Sequence, residues 1–519
     1  MSAPFIINDF ILIRGALIVN LRYKSVANKC RSVILLYKLN KIGALCMFIK
    51  AIAYLMAFLT VTITGLFNAD TDQYIDVVDI SRYQTFESFG TSTCWWAQTI
   101  DSEEKADAIA KALFSDEEGL GLDVVRYNIG GGEADNPDTR IWDTTRRTES
   151  FYVYDGQKGE YVYDFTRDAN ARRVLDKAIE YGAKEVILFC NSPHYSMTLS
   201  GQASGGLTEN VSNLPEENYD EFVDYLLTIA DWFVSEGYPV TYISPINEPQ
   251  WGWGGEWVGQ EGCHYEPDEA VKLLSMFAEE MIKRDTPYGL SGVETGQLSW
   301  WYNDYLFKFF ENETLDSYCD TFAGHSYWLD GNKDEKRNFG NTFKDNFPDK
   351  KFEMSEWCEL PLTIDSKTID SGLHMANVII EDLTLLNAVS WQSWTAFNGD
   401  GLLYEENGEI KMYNRYYAFK HFSSFIEPGM TRVKVFDEIG LDENIQKVAF
   451  TDSEKTVLVV VNNSENEETL KFLEKYPHTE IYVTDKDHNC ERVEDSLMCA
   501  EYTLSARSIT TFIFDKTVF

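Results

Sequence analysis

From about residue 85 to residue 429 the chain alternates apolar runs with amphipathic segments, which points to a parallel α/β fold. The runs are Phe86–Ser92, Asp123–Ile129, Glu185–Asn191, Val240–Ile246, Gly289–Glu294, Thr321–Ser326, Phe352–Ser355 and Ala388–Trp394. They number the eight strands that close a (β/α)8 TIM barrel. Punctuation between them fits helices. Asp101 and Glu104 are spaced as a capping-box pair ahead of Ala106–Phe114. Phe222, Tyr225, Leu226, Ile229, Ala230 and Phe233 form a stripe of helical period, with Gly237 beyond its end. Tyr416–Phe425 supplies an eighth helix, which Pro428-Gly429 terminates.

Beyond that break the pattern becomes short β-rich runs separated by charged turns: Lys447–Phe450, Val457–Val461, Glu480–Val483, Tyr502–Leu504 and Thr510–Ile513. An antiparallel β-sandwich appended to the barrel is expected. Tyr74–Ile80 is also strand-like and is expected to join it. The implied organisation is an N-terminal extension with a signal peptide or anchor (1–69), an N-terminal strand joining the sandwich (70–84), a catalytic barrel (85–429) and a C-terminal sandwich (430–519).

Charge is unevenly distributed. Residues 1–69 hold eight Lys/Arg against one acid, Asp9, a net +7; the chain total is −39, so residues 70–519 carry −46. Such a body repels nucleic-acid phosphate and anionic membrane and fits a neutral substrate. Lys50 precedes an uncharged run, Ala51–Ala69, with the pattern of a secretory signal for a chain begun at Met47. An uncleaved membrane anchor is the competing reading, because the run nears the ~18-residue spanning length. Secretion of a monomer is the expectation, with residues 1–46 an upstream extension. Sequons stand at Asn210, Asn312 and Asn462. The nine cysteines include no C-x-x-C pair, so no zinc-site spacing exists, and neither metal nor cofactor is expected. Cys490 and Cys499 are placed to close a disulfide across a hairpin.

Two segments carry the chemistry. VTYISPINEPQ (240–250) and KFEMSEW (351–357) each put a glutamate, Glu248 or Glu356, at a strand end. In a TIM barrel the strand ends at the carboxyl face build the active site. Counting strands places Glu248 after the fourth and Glu356 after the seventh, across the mouth from one another. A pair of carboxyls ~5–5.5 Å apart is what retaining cleavage of a glycoside requires. The acid must hold a proton near neutral pH and its partner must stay ionised. Arg126, ending the second strand in VVRYNIGGG, is placed to supply positive charge and should have a carboxylate partner. Asn247 is positioned to bond a sugar 2-hydroxyl.

Further candidates line up at other strand ends. His325 and Tyr327 close the sixth strand, Tyr327 as a donor to the nucleophile and His325 either there or as a structural histidine. Trp391 and Trp394 lie on the eighth strand, one of them as a floor beneath the sugar, and Trp96, Trp251, Trp95 and Trp253 are candidates for further subsites. Trp95 and Trp96 cannot both face inward in a regular strand, and Glu353 should point away from Glu356. Glu256 and Glu261 follow in a Trp/Gly-rich loop. Gly130-Gly131-Gly132 lacks the Lys-Ser/Thr of a phosphate loop and reads as clearance for substrate.

The segments FGTSTCWW (89–96), RYNIGGG (126–132), NSPHYSM (191–197), SPINEPQW (244–251), HSYW (325–328) and SEW (355–357) resemble glycoside hydrolase family 30 across roughly residues 74–519. Within it the chain looks closest to the endo-β-1,6-galactanase branch. The resemblance implies a retaining mechanism, the side β-sandwich, Glu248 as acid/base and Glu356 as nucleophile. An exo-acting β-glucosidase, β-xylosidase or β-fucosidase of the same family is the alternative, and a non-catalytic carbohydrate-binding barrel stands as a reading from another class. In each, the partner is an oligo- or polysaccharide.

Overall fold

The computed structural model describes residues 73–516 apart from 257–258, 300–301 and 438–443. The expectations for residues 1–69 fall outside the described residues. Among those described, no helix is long and apolar enough to cross a membrane.

The strands in chain order are β1 Gln73–Thr85, β2 Ser88–Ser92, β3 Val124–Asn128, β4 Tyr152–Asp155, β5 Glu160–Tyr163, β6 Glu185–Phe189, β7 Val240–Ser244, β8 Gly289–Leu290, β9 Val293–Thr295 and β10 Thr321–His325. They continue with β11 Lys351–Trp357, β12 Ser390–Ser393, β13 Leu403–Glu406, β14 Glu409–Met412, β15 Thr431–Asp437, β16 Ile445–Thr451, β17 Lys455–Asn462, β18 Glu468–Thr484, β19 Asn489–Leu504 and β20 Ser508–Asp515. A parallel sheet of nine runs β8-β7-β6-β3-β2-β12-β11-β10-β9. Its two edges, β8 and β9, are halves of one interrupted strand, so the ring closes through Ser291 and Gly292. Ser291 N–H donates to Ile243 (2.9 Å) on one side and Gly292 C=O accepts from Ala323 (3.0 Å) on the other. The barrel therefore has eight staves, the fifth broken in two.

Helices cover its outer face: α1 Glu103–Phe114, α2 Ala169–Tyr181, α3 Tyr219–Ser235, α4 Pro267–Arg284, α5 Asn303–Glu311, α6 Glu313–Tyr318, α7 Lys333–Asn346, α8 Ile369–Glu381 and α9 Asn414–Ser423. Ser102, not Asp101, caps α1; its side chain accepts from the Lys105 N–H. Along α3, Phe222, Tyr225, Leu226, Ile229, Ala230 and Phe233 are all buried, as their spacing requires.

The second sheet is antiparallel in the order β1-β15-β16-β17-β20-β18-β19, and β1 also pairs parallel with β18, bending the sheet round on itself. Strand period explains its attachment. In β17, Val457, Val459 and Val461 enter the barrel's hydrophobic cluster, while Leu458 and Val460 enter the sandwich's own. Each such burial contributes about 1.5–3 kcal/mol. His421 of α9 bonds Thr511 and Thr484 on the facing strands, both at 2.8 Å.

Cys490 and Cys499 are free thiols on the one strand β19, ~30 Å apart at strand rise, so no disulfide joins them. Asn462 is fully buried, its amide donating to Asn466 and Ser505 carbonyls, which closes that sequon to glycosylation.

Candidate active site

Asn247 and Glu248 leave β7 in a sharp turn. Glu248 has φ 47°, a left-handed conformation that costs a non-glycine residue ~1–2 kcal/mol. Surrounding bonds hold it: its N–H donates to Glu294 C=O (2.8 Å) and its C=O accepts from Trp253 Nε1 (2.8 Å). Glu356 comes from β11, where Met354 pairs with Gly324 but His325 pairs with Glu356, so Ser355 is an extra, bulged residue. The bulge turns Glu356 inward. It also leaves Glu353 inside the barrel rather than facing away: Phe352 packs outward on Phe339 and Phe343, while Glu353 is buried below the site near Glu294. Burial, then the charges of Glu87 and Glu294, push Glu353 up to about 8. It does not line the cavity.

The two glutamates meet. One carboxylate oxygen of each, with a ring nitrogen of His325, all lie within 4.8 Å of one another. Glu356 Oε2 accepts from Arg126 Nη1 (2.6 Å) and Oε1 from Tyr327 Oη (3.0 Å). Burial pushes the Glu356 carboxyl up and the Glu248 charge adds to this, against the opposing pull of His325 and Arg126. Arg126 also donates through Nη2 to Asn247 Oδ1 (3.0 Å), lies 3.6 Å from Glu294 and stacks 3.8 Å over the Phe189 ring. Asn247 in turn donates to Asn191 Oδ1 (3.1 Å).

Sequence reasoning missed Glu294, the middle residue of β9. It bonds Ser244 Oγ (2.9 Å), Ser355 Oγ and His325 Nε2 (3.1 Å). Burial raises its carboxyl, but Arg126, His325 and Ser355 overcome that and hold it down to about 2. His325 Nδ1 is 3.2 Å from Glu248 Oε1 and 3.6 Å from Glu356 Oε1. Burial lowers the imidazole, yet the surrounding carboxylates bring it up to about 9. Three carboxylates, Glu248, Glu294 and Glu356, therefore meet round Arg126 and His325. The same arrangement bears on metal binding: Glu248, His325 and Glu356 are close enough to hold an ion, but His325 and Arg126 already supply the positive charge there.

Above this cluster opens a cavity of about 510 Å³ lined by Glu248, Glu356, Asn247, Tyr327 and the tryptophans 95, 251, 253, 328 and 394. Several sequence expectations need correcting against it. Arg126 has the carboxylate partner expected of it, and both it and His325 are fully buried behind the glutamates rather than in the cavity lining where a substrate contact would lie. Trp391 is turned away: its Nε1 donates to Asp382 (3.0 Å) and its ring packs on Phe419. Residues 391 and 394 are an odd number apart, so only Trp394 can face the mouth. Trp96 bonds the Ser92 carbonyl (2.8 Å) beneath the loop, and Trp95 takes the place facing the cavity. The triple glycine packs against protein, since a Cβ on Gly130 or Gly131 would collide with Thr148 or Ala203. Glu261 is buried there, accepting from the Gly131 N–H (3.0 Å), and Glu256 is exposed.

Gly296, just after β9, packs against Glu248. A Cβ there would lie 2.7 Å from Trp251 Nε1 and 2.8 Å from Gln250 Nε2, and would collide with Glu248 Oε1. Gly296→Ala should therefore shift the Glu248 carboxylate and lower kcat about 10²-fold, the cost of a ~1 Å misplacement. Steady-state kinetics beside a melting curve checks this, and unchanged kcat in a folded variant would refute it.

A family model described as "O-Glycosyl hydrolase family 30" matches residues 72–404. An endo-beta-1,6-galactanase of Hypocrea rufa is 24% identical over 410 residues, covering 73% of this chain and 80% of that protein. Among solved structures, a conserved exported protein from Bacteroides fragilis superposes with a TM-score of 0.75 at 24% identity, covering 85% of this chain and 100% of that one. A GH30 endoxylanase from Clostridium papyrosolvens C71 has the same fold at TM-score 0.63 and 21% identity, covering 86% and 100%.

Proposed function

The chain belongs to glycoside hydrolase family 30 and is a glycosidase acting on carbohydrate; from that premise we propose that it cleaves β-1,6-linked galactan internally, with retention, through Glu248 and Glu356. The observation that carries the retaining mechanism is that one carboxylate oxygen of Glu248 and one of Glu356 lie within 4.8 Å of each other, which favours the close pair of retaining enzymes over the wider pair of inverting ones. The galactan assignment rests on similarity to the Hypocrea rufa enzyme.

In this reading Glu356 attacks the anomeric carbon while Glu248 protonates the departing glycosidic oxygen. The bond to that oxygen breaks and a glycosyl ester forms on Glu356. Glu248, now ionised, removes a proton from water, which attacks the same carbon and releases Glu356. Arg126 and Tyr327 donate to the attacking carboxylate and hold it in place. Trp394 and Trp95, rings 5.1 Å apart and edge to face, offer apolar surface to the sugar. Secretion directed by Ala51–Ala69 belongs to the same proposal and would be read from the N-terminus of the exported protein.

Glu248→Ala should lower turnover of galactan about 10²- to 10⁴-fold, while a dinitrophenyl glycoside, whose leaving group needs no proton, loses far less in glycosylation. Equal losses on both would remove Glu248 from the acid role. Digestion of β-1,6-galactan to a ladder of oligomers supports internal cleavage; a single small product at all times would replace it with exo action.

A further inference from the structure

Asp400 lines the cavity at the wall formed by the loop after β12. Its side chain is partly covered, and among the described residues no hydrogen bond or ion pair engages its carboxylate, on which the charges of Arg415 and Arg146 act from further off. The loop that carries it is held firmly. Asn398 N–H donates to Leu403 C=O (2.7 Å), Gly401 N–H to Asn398 C=O (2.7 Å) and Leu402 N–H to Ala396 C=O (3.0 Å). Arg415, 1% exposed, donates to the Gly399 carbonyl (3.2 Å) and pairs with buried Glu359 (3.5 Å), which accepts from Ser371 (3.0 Å). An internal ion pair thus braces the residue next to an acid whose carboxylate accepts no hydrogen bond among the described residues, although the Arg415 and Arg146 charges act on it.

Its position is on the nucleophile's side. Tyr327 Oη bonds Glu356 and lies 3.6 Å from Cys358 Sγ. Cys358 lines the cavity together with Asp400, whose charge adds to the rise that burial gives the thiol. Arg146 stands on the same wall, over the Trp95 ring at 4.3 Å and bonded to Gln260 (3.2 Å). A carboxylate with free lone pairs beside an aromatic face matches a sugar's edge of adjacent hydroxyls and its apolar C–H face.

We propose that Asp400 accepts hydrogen bonds from ring hydroxyls of the sugar unit seated over Glu356 and thereby selects that unit. The choice of galactose as the test sugar rests on the functional reading above. A uronate on this wall would meet Asp400 charge against charge, so a neutral unit is preferred.

The test compares the wild-type enzyme with Asp400→Asn and Asp400→Ala on a nitrophenyl β-galactoside and its singly deoxygenated analogues. Each variant should lose about 10- to 100-fold in kcat/KM on the parent, the worth of hydrogen bonds to a charged group. Wild type should lose comparably when the contacted hydroxyl is removed, and the variants should lose little more on that analogue. Equal further losses on every analogue, or an unchanged kcat/KM on the parent, overturns the proposal. Should wild type ignore β-galactosides, the galactan reading fails by itself, and the same comparison on the best substrate from an aryl-glycoside panel decides the role of Asp400. Melting midpoints should move little, because no protein hydrogen bond is removed and Arg415 keeps Glu359.

Discussion

Glu356→Gln should abolish turnover of every glycoside, lowering kcat by about 10⁴-fold or more, the scale seen when a covalent nucleophile is lost. Binding of substrate should persist, because the amide fills the same volume and Tyr327 still has an oxygen to meet. The wild-type pH profile gives a second readout. Burial, with Glu248 nearby, raises the Glu356 carboxyl from the ordinary glutamate value. Attack requires the ionised form, so activity is present above that raised value and falls as pH drops through it. The acid limb of kcat/KM should accordingly lie above the usual range for a free glutamate. An acid limb at or below that range would mean that the cations around Glu356 outweigh its burial. A Glu356→Gln enzyme that turns over normally would remove the nucleophile assignment altogether.

Which parts of this were legible in the chain follows from what kind of information each needs. Apolar runs such as Val240–Ile246 read as barrel strands because parallel strands are covered on both faces, so their burial is written in consecutive residues. The break in the fifth stave was hidden, since Gly289–Glu294 has the length of a single strand and the pairing partner changes within it, at Ser291 and Gly292. Parity arguments worked where strands are regular and failed at the bulge. Trp391 and Trp394 separate cleanly by face, whereas Ser355 shifts Glu356 inward and leaves Glu353 inside as well. Glu294 carried the same strand-end signature as Glu248 and could have been read from it. The charge of His325 could not, because it depends on three carboxylates brought together from β7, β9 and β11. Trp328, Arg146 and Asp400 reach the cavity from loops, whose paths are set by tertiary bonds rather than by local pattern.

Arg126→Met should destabilise the fold and cripple the reaction together. Arg126 is fully buried and its guanidinium serves Glu356, Asn247 and Glu294 at once. Removing one partner of a buried ion pair costs about 3–5 kcal/mol, because the remaining charge is left without compensation. Here two carboxylates lose their common cation, and His325 alone remains to oppose them. The melting temperature should fall sharply in consequence. Glu356, freed from the cation that pulls it down, should then ionise only at still higher pH, so the acid limb of kcat/KM moves upward and the rate at neutral pH drops. Arg126→Lys should recover part of the stability but little of the rate, since an ammonium is a single point of charge that cannot fork between Glu356 and Asn247. A merely structural arginine would lower stability with the pH profile unmoved, so an acid limb that stays in place across both variants would sever Arg126 from the ionisation of Glu356.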